Sequence, residues 1–144
     1  HMIRGNLALA LQGLVSVPLF AGYDHGTGSG RIFSYDVTGG RYEEHSFYSV
    51  GSGSLFARGA LKKLFSEDLS TEEATVLCIE ALYDAADDDS ATGGPDMSRR
   101  IYPIVSVVDD QGYRRLDESD IGGLVEQVVE ARLRRPDGPN APIR

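Results

Sequence analysis

Between Asp84 and Asp96 the sequence reads Asp-Ala-Ala-Asp-Asp-Asp-Ser-Ala-Thr-Gly-Gly-Pro-Asp, a dense set of groups that could do chemistry. A helix-to-strand connection needs little more than a Gly and a Pro, so the extra carboxylates and hydroxyls call for a reason. One candidate is a divalent cation held by Asp84, Asp87, Asp88, Asp89 and Asp96. The run lacks the alternate-position spacing and the distal Glu of a calcium loop, so no metal and no cofactor are assigned. Another candidate is a Ser-His-Asp site from Ser52, His45 and Asp89. Ser52 does not lie in a Gly-x-Ser-x-Gly elbow, and a hydroxyl that caps a helix points at the backbone. Asp87 and Asp88 read as solvated carboxylates. Asp89 reads equally as a plain loop aspartate at the helix end.

The elements that must position these groups follow from periodicity and turn chemistry. Ile3, Leu7, Leu11, Leu14 and Val15 recur at helical spacing. Val17 to Tyr23 and Arg31 to Asp36 read as strands joined by Gly26-Thr27-Gly28-Ser29-Gly30, a turn rather than a dinucleotide loop, since no helix follows it. After the turn Asp36 to Gly40, Arg41 to Val50 completes an antiparallel meander of three strands. Gly51-Ser52-Gly53-Ser54 opens a helix with Leu55, Phe56, Ala60, Leu61, Leu64 and Phe65 as its apolar positions, and Ser52 or Ser54 is the expected N-cap. Ser70-Thr71-Glu72-Glu73 is a capping box for a second helix, from Ala74 to Ala86, that delivers the chain to Asp89. A strand from Ile101 to Val108, a turn at Asp109 to Gly112, a strand from Tyr113 to Leu116 and a helix from Ser119 to Leu133 complete the order. Blocks of antiparallel strands with helices grouped between them give an α+β layered sandwich. From Arg134 the chain carries three prolines and a Gly, and residues 134–144 are expected to be a disordered tail.

Composition sets the outer limits. The 144 residues suffice for one domain, and 41% hydrophobic with 25% charged is ordinary for a globular chain. A net charge of -8 without clustered Lys or Arg argues against nucleic acid. No run is apolar enough for a membrane span and no signal peptide is recognisable, which predicts a cytoplasmic protein. The single cysteine, Cys78, falls among Val76, Leu77 and Ile79 and reads as a core filler. His1 before Met2 reads as the remnant of a tag and is left out of the fold.

Several of these segments together carry a resemblance. Gly51-Ser52-Gly53-Ser54 opening one helix, a second helix ending in Asp89-Ser90-Ala91-Thr92-Gly93-Gly94, and the segment from Gly30 to Gly40 resemble the proteasome β-subunit. The string from Ala81 to Asp96 is close to its actinobacterial 20S form. The resemblance runs from Ile3 to about Leu133. It implies an N-terminal-nucleophile hydrolase fold, two antiparallel sheets between helical layers. It also implies a threonine-type endopeptidase, whose first residue after processing is the nucleophile and whose own amine relays the proton.

Measured against that family, the sequence corresponds to an incomplete fold that lacks the first strands and the first helix. The nucleophilic Thr, the Asp and Lys that tune it and the oxyanion Gly have no counterpart among these residues. Thr27, Thr38, Thr71, Thr75 and Thr92 are all internal. Matched position by position, Ser52, Asp89 and Thr92 stand for the network that orients the nucleophile's amine, with Thr92 where Ser is more usual. Asp36 matches a residue lining the neighbouring subunit's substrate cleft. The resemblance therefore implies polypeptide substrates, proteasome α- and β-subunits as partners of the full-length form, and no activity for residues 1–133 by themselves. The alternative is a non-catalytic module of the same partial fold that only self-associates. Taken without the family, Ser52 reads equally as a helix cap.

Overall fold

The computed structural model describes residues 5, 8, 12, 13 and 16–141. Of the helix expected from Ile3 to Val15 only Gly5 and Ala8, which are helical, and Gln12 and Gly13, which lie in a turn, are described, and the rest falls outside the described residues. By internal packing the chain divides into two compact units, one from residues 1–50 with 108–112 and one from 51–107 with 113–144.

The first unit is built on a three-stranded antiparallel meander, β1 (Leu19–Asp24), β2 (Ser29–Tyr35) and β3 (Arg41–Glu44), in the order β1-β2-β3. Leu19 pairs with Ser34 and Asp24 with Ser29 across the first hairpin, and Ile32 pairs with Glu44 across the second. The meander is as expected, but β3 stops at Glu44 rather than Val50. Arg31 grips Glu43 on the adjacent strand through two parallel bonds, Nε to Oε1 at 2.6 Å and Nη2 to Oε2 at 2.8 Å. It also reaches Asp24 at 3.1 Å. The turn into β3 is organised by Asp36. Its Oδ1 accepts from the N–H and the hydroxyl of Thr38 and from the Gly40 N–H, and its Oδ2 accepts from the Tyr42 hydroxyl at 2.8 Å. The Thr38 hydroxyl, then the Tyr42 hydroxyl and the Gly40 N–H, hold the Asp36 carboxyl far below the usual carboxylate range. The same contact raises the Tyr42 phenol.

The second unit holds three helices, α1 (Ser54–Leu64), α2 (Thr71–Asp88) and α3 (Glu118–Arg134). The α1–α2 pair is in extensive contact, and alanines are prominent among the residues each buries: Ala57 and Ala60 beside Leu61 on one, Ala81 and Ala85 beside Leu77 on the other. The capping box is present. The Ser70 N–H donates to Glu73 Oε2 at 2.8 Å, and the Glu73 N–H donates to Ser70 Oγ at 3.3 Å. Between α2 and α3 lies an apolar core of Ile79, Ile121, Val125 and Val128, with Tyr83, Met97, Tyr102 and Val105 packed against it. Ile121 and Val125 are each 1% exposed, burial worth about 1.5–3 kcal/mol per side chain.

Three expectations are corrected. The strand foreseen from Ile101 is a strand only over β4 (Ser106–Asp109), which forms a hairpin with β5 (Gly112–Arg115). Ahead of it Ile101 makes an isolated bridge to Asp96 around a tight turn, and Pro103 has no N–H to give a ladder. Neither Ser52 nor Ser54 caps α1. The N-cap is Gly53, without a side-chain bond, because the Ser52 hydroxyl is engaged elsewhere. Cys78 is exposed rather than in the core, although Leu77 and Ile79 on either side of it are buried. Its surroundings still raise the thiol, so it is protonated at neutral pH.

Candidate functional site

The polar site assembles where the start of α1 meets the end of α2. Gly51 sits at φ +114, a conformation a side chain would strain. The turn it begins is closed by the Ser54 N–H donating to the Gly51 carbonyl at 3.2 Å. That turn presents Ser52. On the other side α2 ends at Asp88, and Asp89 takes an extended conformation while its N–H still donates to the Ala85 carbonyl at 3.0 Å. The Thr92 N–H then donates back to the Asp89 carbonyl at 2.9 Å, which folds the loop over the helix end.

The three side chains meet at one atom. Asp89 Oδ2 accepts from the Ser52 hydroxyl at 2.5 Å and from the Thr92 hydroxyl at 2.5 Å. The second oxygen, Oδ1, accepts from the Ala91 N–H at 3.3 Å. The Ser52 hydroxyl, followed by the Thr92 hydroxyl, holds the Asp89 carboxyl below its ordinary value, and partial burial opposes them. The cluster is therefore anionic at neutral pH, with both hydroxyl protons committed inward. With those protons committed, the remaining lone pairs of Ser52 and Thr92 can only accept. Such a site favours a donor, and a cationic donor most of all, since charge-assisted bonds are the stronger ones.

The remaining carboxylates of the Asp84–Asp96 stretch do not converge on this point. Asp87 and Asp88 are exposed. Asp96 Oδ1 accepts the Arg99 N–H at 2.9 Å within its own turn. Asp84 pairs with Arg132 at 2.6 Å. Asp36 is engaged within its own turn by Thr38, Gly40 and Tyr42.

A family model for the proteasome subunit matches residues 9–97, which include Ser52, Asp89 and Thr92. The chain belongs to the proteasome subunit family. Over 144 residues it is 67% identical to the proteasome subunit beta of Acidothermus cellulolyticus, aligning 97% of this chain with 50% of that one. It is 60% identical over 142 residues to the proteasome subunit beta of Streptomyces griseus, aligning 99% of this chain with 50% of that protein. A third relative, from Streptosporangium roseum and also named proteasome subunit beta, is 57% identical over 143 residues. The chain spans about half the length of the curated relatives it matches. Among the described residues, the two small antiparallel sheets with α1, α2 and α3 are consistent with part of the N-terminal-nucleophile hydrolase fold of proteasome subunits. Among the described residues, no helix is long and apolar enough to cross a membrane.

Two features of this proteasome-family chain escape the sequence reading. One is Gly53, buried between the two helix ends. The other is Arg132, whose guanidinium pairs with Glu80 at 2.5 Å and Asp84 at 2.6 Å and lies 4.8 Å over the Tyr83 ring. Burial works against the Arg132 charge, but Glu80 and Asp84 outweigh it and its pKa rises. A signal for this pair is present in the sequence. Arg132 continues the buried stripe Val125, Val128 of α3, and Glu80 stands three residues after Leu77 on α2. Opposite charges interrupting two apolar stripes point to a pair inside the core.

Proposed function

We propose that this chain is part of a threonine-type endopeptidase subunit of a 20S-like, cytoplasmic proteasome. In it, Ser52, Asp89 and Thr92 hold the amine of an N-terminal nucleophile. The observation that carries this reading is the convergence of two hydroxyl donors on a single oxygen of Asp89. An N-terminal nucleophile needs its amine oriented and its proton affinity set, and two hydroxyls able only to accept beside a carboxylate suit an ammonium. The nucleophile and the oxyanion donor would come from a segment outside these 144 residues, so the polypeptide by itself turns over no peptide. Its partners would be further α- and β-type subunits and its substrates polypeptides, with the Asp36 turn shaping a neighbour's cleft through backbone rather than through a free carboxylate.

Incubating the purified 144 residues with fluorogenic peptides, with and without a proteasome inhibitor, tests the inactivity; inhibitor-sensitive turnover overturns it. The DNA upstream of Met2 tests the assignment. An in-frame extension ending in a Gly-Thr junction supports the endopeptidase reading, and an immediate stop codon sinks it. A non-catalytic, self-associating module is the second reading, favoured by the large apolar side chains the second unit leaves exposed, among them Leu55 (74%), Ile104 (70%) and Leu133 (80%). Light scattering at low micromolar concentration decides that point: a clean monomer with a cooperative melt excludes self-association.

A further inference from the structure

We infer that Gly53 is a positioning residue for the Ser52–Asp89–Thr92 cluster, required for space and not for backbone conformation. The inference rests on the reading of that cluster as the holder of an amine. Gly53 has φ -77 and ψ 5, values any residue can adopt, so its lack of a side chain is not explained by the turn. What excludes a side chain is the far wall. A Cβ on Gly53 would stand 2.7 Å from Thr92 Oγ1, 3.0 Å from the Ala85 methyl and 3.3 Å from the Ala85 carbonyl oxygen. Two of these atoms, the Thr92 hydroxyl and the Ala85 carbonyl, bond directly to Asp89. The Ala85 carbonyl accepts the Asp89 N–H at 3.0 Å, and the Thr92 hydroxyl donates to Asp89 Oδ2.

Gly53 is thus the place where the Ser52 turn rests directly on what orients the other two members. Of the two glycines that flank Ser52, Gly51 supplies the left-handed conformation and meets nothing within 4 Å, whereas Gly53 supplies the close approach. Ala85 is 3% exposed and seated in α2, so it has little freedom to retreat. The Thr92 hydroxyl lies in a loop and is the group that must give way. A methyl at position 53 would push it off Asp89 and leave the carboxylate with one hydroxyl donor.

The test is a double-mutant cycle on the 144-residue chain, read by the NMR titration midpoint of the Asp89 carboxyl and independent of any peptidase activity. G53A is expected to raise the Asp89 midpoint toward the ordinary carboxylate value. T92A is expected to do the same. G53A placed in the T92A background should then add no further rise, because the group it displaces is gone. A stability loss from Gly53 packing alone would leave the Asp89 midpoint where it is. Should G53A fail to give a cooperative melt, the comparison is repeated in the A85G background, where the methyl obstacle is removed and Thr92 remains. An unmoved Asp89 midpoint in G53A, or effects of G53A and T92A that add in full, overturns the assignment. If the cycle holds while the upstream DNA offers no nucleophile, the positioning role stands and the amine reading falls.

Discussion

Replacing Glu80 by alanine would leave Arg132 inside the second unit without its main counter-charge. The side chains are 7% and 4% exposed, and the guanidinium meets the carboxylate at 2.5 Å. Removing one partner of a buried pair costs about 3–5 kcal/mol, chiefly because the survivor stays desolvated. Arg132 retains Asp84 at 2.6 Å and the Pro136 carbonyl at 3.0 Å, so the lower end, about 3 kcal/mol, is expected for E80A. For a chain of this size that corresponds to a fall in Tm of about 10 °C. Urea titration and thermal melting followed by circular dichroism measure both numbers. The double substitution E80L/R132M should recover most of the loss, since apolar groups of similar volume replace a buried pair at little net cost. An E80A protein within about 0.5 kcal/mol of the parent would show that water reaches the pair in solution. A double variant as damaged as the single would show that the shape of the site matters more than its charges.

Further outcomes follow from the other polar contacts. S52A should raise the Asp89 titration midpoint by removing its largest stabilising donor, and carboxyl NMR reads this directly. Asp36 titrates far lower in the fold than free in the chain. Its contribution to stability is therefore full above about pH 4 and fades as pH falls further toward the native value. D36N should flatten the acid limb of a stability-pH curve below about pH 4 and leave its neutral region less affected. An unchanged acid limb refutes the role given to the Thr38, Gly40 and Tyr42 donors. S70A removes the N-cap of α2 and should cost about 1 kcal/mol, seen as a lower urea midpoint at constant slope.

The parts of the fold legible in the sequence were those set by neighbouring residues. Ser70 and Glu73 announce the start of α2 because both bonds of a capping box are local. The β1–β2–β3 meander follows from its glycine turns. The expected strand from Ile101 is too long because an apolar run carries no record of whether a partner strand lies beside it, and Pro103 within it has no N–H to give. Ser52 resembles a helix cap because nothing within a few residues reveals a carboxylate arriving from 37 residues away. The resemblance named Ser52, Asp89 and Thr92, but not the glycine that lets them meet. The apolar neighbours of Cys78 do not predict its burial, since a helix carries such a run around more than one face.

Arg99 and Arg100 lie exposed in the turn between Asp96 and Ile101, with Arg100 at φ +56. A trypsin-like protease would find its preferred residues there on an outward loop. The cut would separate Ile79 from Ile121, Val125 and Val128, which close one core from opposite sides of the scissile bond. The nicked second unit would stay assembled as two peptides held by that core, and its persistence would become a matter of mass action. It would survive at high concentration and come apart on dilution, whereas the uncut chain is indifferent to dilution in this respect.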